Sequence, residues 1–391
     1  VGSYAGLAVG ADVDSALNLA CVTQSKTHVP SALDDIVEKA ANTERLTPDE
    51  ALMLAQKADI HVLGRLALHR RTALHGQNAY FVFNQHLNYT NICQNACRFC
   101  AFSRRVGDKD GYTMTVDEAV QHVRSRKDEP VREIHIVGGL NPELPYQYYL
   151  DLVSAVKQAR PLASVKAFTA VEVVFLAERG GISPRRVLAD LRKAGLDALP
   201  GGGAEVFAPA LRARLCPEKV SGQQWLDIHA LAHELGIPSN ATMLFGHIET
   251  WADRLEHLLA LRELQDRTEG FLCFIPLPYQ PHHNDLGAKG PDGLDTMRML
   301  AISRIFLDNV RHLKAYWIMT GIKAAQMGLW YGADDLDGTI VEERIGHAAG
   351  ANTPKGMTRE QIVQVISQAG FQPVERNSHF EAVKPAQPSS T

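Results

Sequence analysis

Three cysteines, Cys93, Cys97 and Cys100, stand at a C-x3-C-x2-C spacing directly after the apolar, β-prone run 80–89. Thiolates this close can hold three irons of a cubane [4Fe–4S] cluster, which ordinarily takes four. The missing fourth leaves one iron open to an outside ligand, and an open coordination site signals chemistry rather than structure. The competing reading is a closed zinc site, but zinc there takes four ligands, and only a nearby histidine such as His86 would complete the set. Cys21, Cys216 and Cys273 are scattered, unlike a disulfide framework, and Cys216 and Cys273 read as small apolar core residues.

At 391 residues the chain is long enough for a large core, in one domain or two. Apolar residues make up 45% and charged residues 21%, an ordinary globular composition. No apolar run approaches the ~20 residues of a membrane span, so no membrane partner is expected. A formal net charge of −4 without a basic stripe gives no reason to expect nucleic acid. A low-potential cluster argues for a reducing cytoplasm. Residues 1–29 lack the basic start and uninterrupted apolar core of a signal peptide and read as an N-terminal extension.

Thr47-Pro48-Asp49-Glu50 is a helix start, with Thr as N-cap, Pro at the first helical position and acids in the first turn. It belongs to a helical lead-in over 30–78. Strands are expected at 80–89, 133–137, 164–171, around Ala198, at 239–245, 270–275, 309–317 and, weakly, 331–334. Helices are expected at 116–127, 146–159, 183–194, 222–235, 250–266, 293–307, 321–329 and 358–369. Alternation of this length implies an α/β fold with a parallel sheet, a (β/α)8 TIM-type barrel over 79–345 whose active site lies in the strand-end loops. A C-terminal helical segment (346–383) and a disordered Pro/Ser-rich tail (384–391) complete the expectation.

The stretch from Asn91 to Phe102 resembles the radical S-adenosylmethionine (SAM) superfamily, in which the open iron chelates the amino and carboxylate groups of SAM. The resemblance implies that Phe99, before the third cysteine, lies near the adenine. It also implies that Gly138 and Gly139, after the second strand, meet the methionine amino group of SAM. The superfamily's usual Glu after that Gly-Gly pair is here Leu140.

Other strand ends carry further candidates. Glu172, just past an apolar run, is placed to accept hydrogen bonds from a ribose diol, or merely to cap the following helix. Gly201-Gly202-Gly203 suits an irregular backbone whose N–H groups form an anion nest, so Gly202 and Gly203 are binding candidates. Glu205 is a candidate partner for the SAM ammonium, and His247 a hydrogen-bond donor or proton carrier near neutral pH. Arg212, Arg214 and Lys219 are candidates for a substrate carboxylate. The Pro-rich loop with His282 and His283 is a possible cover or a stiff connection. The acidic segment 332–339 reads as a turn and lacks the spacing of a calcium loop.

Segments 86–93, 135–145, 166–172, 200–207, 216–219, 246–250 and 332–343 together resemble the aminofutalosine synthase family of the futalosine route to menaquinone, over about residues 45–380. That resemblance implies addition of a 5′-deoxyadenosyl radical to 3-[(1-carboxyvinyl)oxy]benzoate, with SAM as co-substrate and a flavodoxin or ferredoxin as electron donor. Cyclic dehypoxanthine futalosine synthase and the deazaflavin (F420 precursor) synthase, which abstract hydrogen, are similar in the cluster and triple-glycine segments and stand as the alternative.

Overall fold

The computed structural model describes residues 31–340 and 343–383; the expected extension over 1–29 and tail over 384–391 lie outside the described residues. Three helices, Ala32–Ala41, Pro48–Lys57 and Ile60–His75, lead in. The first two open on reciprocal capping boxes, Ser31 with Asp34 and Thr47 with Glu50, which satisfy otherwise orphaned backbone N–H groups. They pack on later helices, Pro48–Lys57 against Trp251–Thr268 and Ile60–His75 against Gly293–Phe306. Arg262 Nη1 ties the joint by donating to the Leu46 carbonyl at 2.9 Å.

The strands are β1 (Asn78–Val82), β2 (Asn84–Leu87), β3 (Glu133–Ile136), β4 (Ser164–Ala167), β5 (Leu196–Ala198), β6 (Ser239–Phe245), β7 (Phe271–Pro278), β8 (His312–Leu313), β9 (Asp335–Gly338) and β10 (Gln372–Arg376). β1 and β2 are two halves of the expected first strand. Parallel pairing runs β2–β3–β4–β5 and β6–β7–β8, with single parallel bridges Leu199↔Ser239 and Lys314↔Asp335 joining the blocks. β9 returns to β1 through Tyr80↔Asp335 and Val82↔Gly338, which closes an eight-position parallel barrel. Closure leaves no free edge between the first and last positions. Outer helices bury one face: Pro184–Ala194 buries Val187, Leu188 and Leu191 while Arg185 and Arg186 stay outside. Each such fully buried side chain contributes about 1.5–3 kcal/mol.

Four features differ from the sequence expectation. The third strand stops at Ala167, because Phe168 turns the chain at φ +59° and Thr169 then caps a helix, Ala170–Gly180. The seventh shrinks to His312–Leu313 before the helix Trp317–Thr320 begins. The weak strand expected at 331–334 begins only at Asp335, where the acidic segment read as a turn forms the closing strand β9, fully buried, its carboxylates matched by Lys314 and Arg376. The C-terminal segment adds β10 to its helix Arg359–Gln368, and β10 pairs parallel with β1 from Asn78↔Gln372 to Val82↔Arg376.

Candidate active site

A cavity of about 330 Å3 opens at the barrel's C-terminal mouth, and Cys93, Cys97 and Cys100 line it together. Each is a free, partly exposed thiol. Their loop leaves β2 and is held from several sides by backbone hydrogen bonds: Cys93 N to Arg104 O at 2.9 Å, Gln94 N to Leu140 O at 2.9 Å and Arg98 N to Leu215 O at 2.9 Å. Glu218 accepts from Ala96 N, and Arg105 Nη1 donates to the Cys93 carbonyl at 2.9 Å. Burial pushes the Cys97 thiol up to about 12, with Glu205, Cys216 and Cys100 adding to the effect and Lys219 opposing it.

Gly138 and Gly139 pass directly behind this loop. A Cβ on Gly139 would lie 2.2 Å from the Ile92 carbonyl oxygen and 3.0 Å from Cys93 Cβ, so only glycine permits the approach. Gly138 N donates to Glu172 Oε1 at 3.3 Å. Phe99 lines the cavity with the Lys219 ammonium 5.1 Å from its ring centroid. Lys219 Nζ pairs with Glu205 Oε1 at 2.5 Å, and Glu205 itself sits at φ +52°, a strained conformation for a non-glycine residue. Gly203 sits at φ +83°, with a Cβ there falling 2.5 Å from Val171; Gly202 lines the cavity beside it and accepts from Trp225 Nε1 at 3.0 Å.

Glu172 lines the cavity and also caps the helix Ala170–Gly180. Its Oε2 accepts from Thr169 N at 2.7 Å, and its Oε1 from Tyr89 Oη at 3.1 Å. Burial raises its carboxyl to about 7 against these bonds. Between about pH 4.5 and 7 the folded chain therefore keeps a proton that the unfolded chain has released, and stability falls as pH rises through that window. Glu172→Gln is expected to flatten this slope, worth about 3 kcal/mol, in urea unfolding compared from pH 4.5 to 8.

Five of the expected candidates, His247, Arg212, Arg214, His282 and His283, do not line the cavity. His247 does not reach the cavity: its side chain is fully buried, with Nε2 3.0 Å from Leu244 O and Nδ1 2.9 Å from Glu249 Oε2. Glu249 also binds Arg254 Nε at 2.8 Å; burial opposes its ionisation, yet the bond to His247 and the Arg254 charge hold its carboxyl at about 2. His247 thus fastens the loop after β6. His247→Gln is expected to cost about 1–3 kcal/mol in thermal unfolding while turnover per folded molecule stays within about threefold. Arg212 is likewise taken up by backbone, donating to the carbonyls of Ala204, Val206 and Val220. Arg214, His282 and His283 do not line the cavity.

The sequence reading missed the floor. His86, Glu133, His135, Lys166, Asn240, Lys314 and Asp337 all line the cavity from inside the barrel. The available signal was charge within apolar strand runs: Glu133, Lys166 and Lys314 fall where a barrel interior ordinarily has branched apolar residues.

Residues 87–261 match the Radical SAM superfamily, and residues 268–388 match the CofH/MqnC C-terminal region. The aminodeoxyfutalosine synthase of Thermus thermophilus is 46% identical, over 89% of this chain and 95% of that protein. The cyclic dehypoxanthine futalosine synthase of Streptomyces coelicolor is 37% identical, over 89% of this chain and 88% of that protein. The FeFe-hydrogenase maturase HydG of Carboxydothermus hydrogenoformans shares the fold, with a TM-score of 0.69 at 17% identity, over 89% of this chain and 80% of that one.

The superfamily uses a [4Fe–4S] cluster and SAM, and the residues here fit both. Three thiols and no other cysteine line the cavity among the described residues. The Gly139 backbone, pressed against the cysteine loop, leaves the space beside it unfilled by any side chain of its own. With that relatedness running almost end to end, the chain belongs to the radical SAM superfamily, among the enzymes typified by aminodeoxyfutalosine synthase and its CofH/MqnC relatives.

Proposed function

We propose that the protein is an aminodeoxyfutalosine synthase of menaquinone biosynthesis, joining the 5′-deoxyadenosyl skeleton of SAM to 3-[(1-carboxyvinyl)oxy]benzoate. One water is consumed, and the products are 6-amino-6-deoxyfutalosine, methionine and bicarbonate. The observation that carries this reading is the 46% identity across 95% of the T. thermophilus synthase. When bound, the cluster and SAM would supply a 5′-deoxyadenosyl radical for addition to the enol-ether double bond.

The chain's own part is positioning and exclusion of water. Cys93, Cys97 and Cys100 hold the cluster, and Gly138 and Gly139 let the backbone close on the methionine end of SAM. Phe99 faces its adenine, and Glu205, steadied by Lys219, meets its ammonium. Glu172 keeps the Gly138 backbone in place and borders the ribose. Leu244, Ile275, Leu277 and Met319 form an apolar wall that keeps water from a primary carbon radical. The setting is a reducing cytoplasm with flavodoxin or ferredoxin as electron donor.

Incubation with reductant, SAM and the enolpyruvyl benzoate, read by mass spectrometry, tests the assignment. An adenosyl-bearing benzoate product is expected, and 5′-deoxyadenosine as the sole adenosyl product would overturn it. A second reading, a hydrogen-abstracting enzyme of the cyclic dehypoxanthine futalosine synthase kind, draws on the CofH/MqnC match over residues 268–388. It predicts release of 5′-deoxyadenosine with that enzyme's own substrate and indifference to the benzoate.

A further inference from the structure

The barrel floor is built from charged and polar side chains that belong to different strands yet face one space. His86, His135 and Lys166 lie in register on β2, β3 and β4. Asn240 enters from β6, Lys314 from just past β8 and Asp337 from β9. Lys166 is 1% exposed and Lys314 2%, so neither ammonium is a solvated surface charge.

Each lysine has one acceptor within hydrogen-bond distance: Lys166 Nζ donates to Glu133 Oε2 at 2.8 Å, and Lys314 Nζ to Asp337 Oδ2 at 2.6 Å. An ammonium carries three N–H donors, so two remain on Lys166, while Lys314 also faces Asp335 Oδ1 at 3.8 Å and keeps at least one free. His86 Nε2 and Asn240 Oδ1 have no partner at all, on residues 6% and 2% exposed. Buried polar groups are ordinarily hydrogen-bonded, and a ligand carboxylate satisfies a ring N–H at His86 Nε2, whereas Asn240 Oδ1, an acceptor, is left to a donor such as water. Asp337 adds backbone strain, sitting at φ +72°, held there by Lys314 and by Asn84 Nδ2 at 2.8 Å. Strain of that kind collects at ligand-binding sites.

Other cations are excluded from the same task. Among the described residues no arginine lines the cavity, and the third lysine, Lys219, is held at the cysteine rim by Glu205. Above the floor stand Leu244, Ile275 and Leu277, an apolar belt suited to an aromatic ring.

We infer that this floor is an aryl-carboxylate subsite: Lys166, Lys314 and His86 Nε2 receive the ring carboxylate of the substrate, so that its enol ether faces the cysteine rim. The inference rests on the reaction proposed above and adds the residues that choose its substrate. Glu133 and Asp337 remain paired to their lysines, and the carboxylate engages the N–H groups they leave free, as charge-assisted hydrogen bonds.

The test is titration calorimetry on cluster-loaded protein with SAM and no reductant, so that no turnover intervenes. The two ligands are 3-[(1-carboxyvinyl)oxy]benzoate and 2-phenoxyprop-2-enoate, which keeps the enol ether and lacks the ring carboxylate. Wild type should bind the benzoate at least ~tenfold more tightly. His86→Phe, which keeps a ring stacked on His135, and the double variant Glu133→Gln with Lys166→Met, which leaves no buried charge unpaired, should each lose most of that preference. Both should bind the phenoxy compound within about twofold of wild type, which also reports an intact fold. Lys166→Arg should retain part of the preference. A wild-type ratio near one, or variants that keep the wild-type ratio, overturns the subsite while the product assay leaves the reaction standing. Wild-type protein that makes no adenosyl-bearing product from the benzoate overturns the reaction and the subsite with it.

Discussion

Cys97→Ala is expected to eliminate iron–sulfur absorbance after anaerobic reconstitution and to lower turnover by about 10^4-fold or more, the scale of an enzyme deprived of its chemistry. The size of the effect follows from ligand count. Three thiols line the cavity; of the other described cysteines, Cys216 is buried behind Cys97 and Cys273 lies in β7, and neither lines it. Nothing within the cavity replaces a lost sulfur. The fold should survive, because the loop's backbone is fastened through Gln94, Arg98 and Arg105 rather than through the Cys97 side chain. Iron and labile sulfide analysis, with thermal unfolding of the metal-free protein beside it, separates loss of cluster from loss of fold. Wild-type absorbance and turnover in the variant would contradict the assignment.

Gly139→Ala comes second. The added methyl would fall 2.2 Å from the Ile92 carbonyl oxygen and 2.7 Å from its carbon, both backbone atoms. Backbone cannot rotate away as a side chain can, so either the Gly-Gly turn or the cysteine loop must move. Overpacking of this kind costs about 1–3 kcal/mol, and here the displaced segment runs into Cys93, a proposed cluster ligand. Iron content after reconstitution should drop at least severalfold along with stability. Gly293→Ala is the matched control: a Cβ there meets nothing within 4 Å, and its stability should stay within ~0.5 kcal/mol of wild type. Equal behaviour of the two variants would show that the close approach behind Cys93 is not a constraint.

The barrel and its cofactor loop were legible in the sequence because both are written in local spacing. The cysteine triplet needs only its own intervals, and helices such as Val116–Arg124 declare themselves by period and by the Thr115–Glu118 capping box. The helix Ala170–Gly180 was hidden by an apolar lead continuous with β4, although Thr169 and Glu172 stand at capping-box spacing. β9 was misread because three aspartates within four residues look like a solvated turn. Their partners, Arg304, Lys314 and Arg376, come from other parts of the chain, and only the closed barrel brings them together. The same holds for the floor. Lys166 and Lys314 are ordinary letters in the sequence, and it is the register of parallel strands that turns both inward. His247 shows the converse: a histidine at a strand end reads as chemistry, yet Glu249, two residues on, holds its buried ring 2.9 Å from a carboxylate oxygen.

In the proposed reaction this cavity transfers the adenosyl skeleton rather than using it to abstract hydrogen. SAM carrying 13C in its adenosyl group, supplied with reductant and the enolpyruvyl benzoate to cluster-loaded protein, tests that directly. The label should appear in the benzoate-derived product in one-to-one proportion with methionine formed. Label recovered wholly as 5′-deoxyadenosine, with the benzoate unchanged, would contradict it.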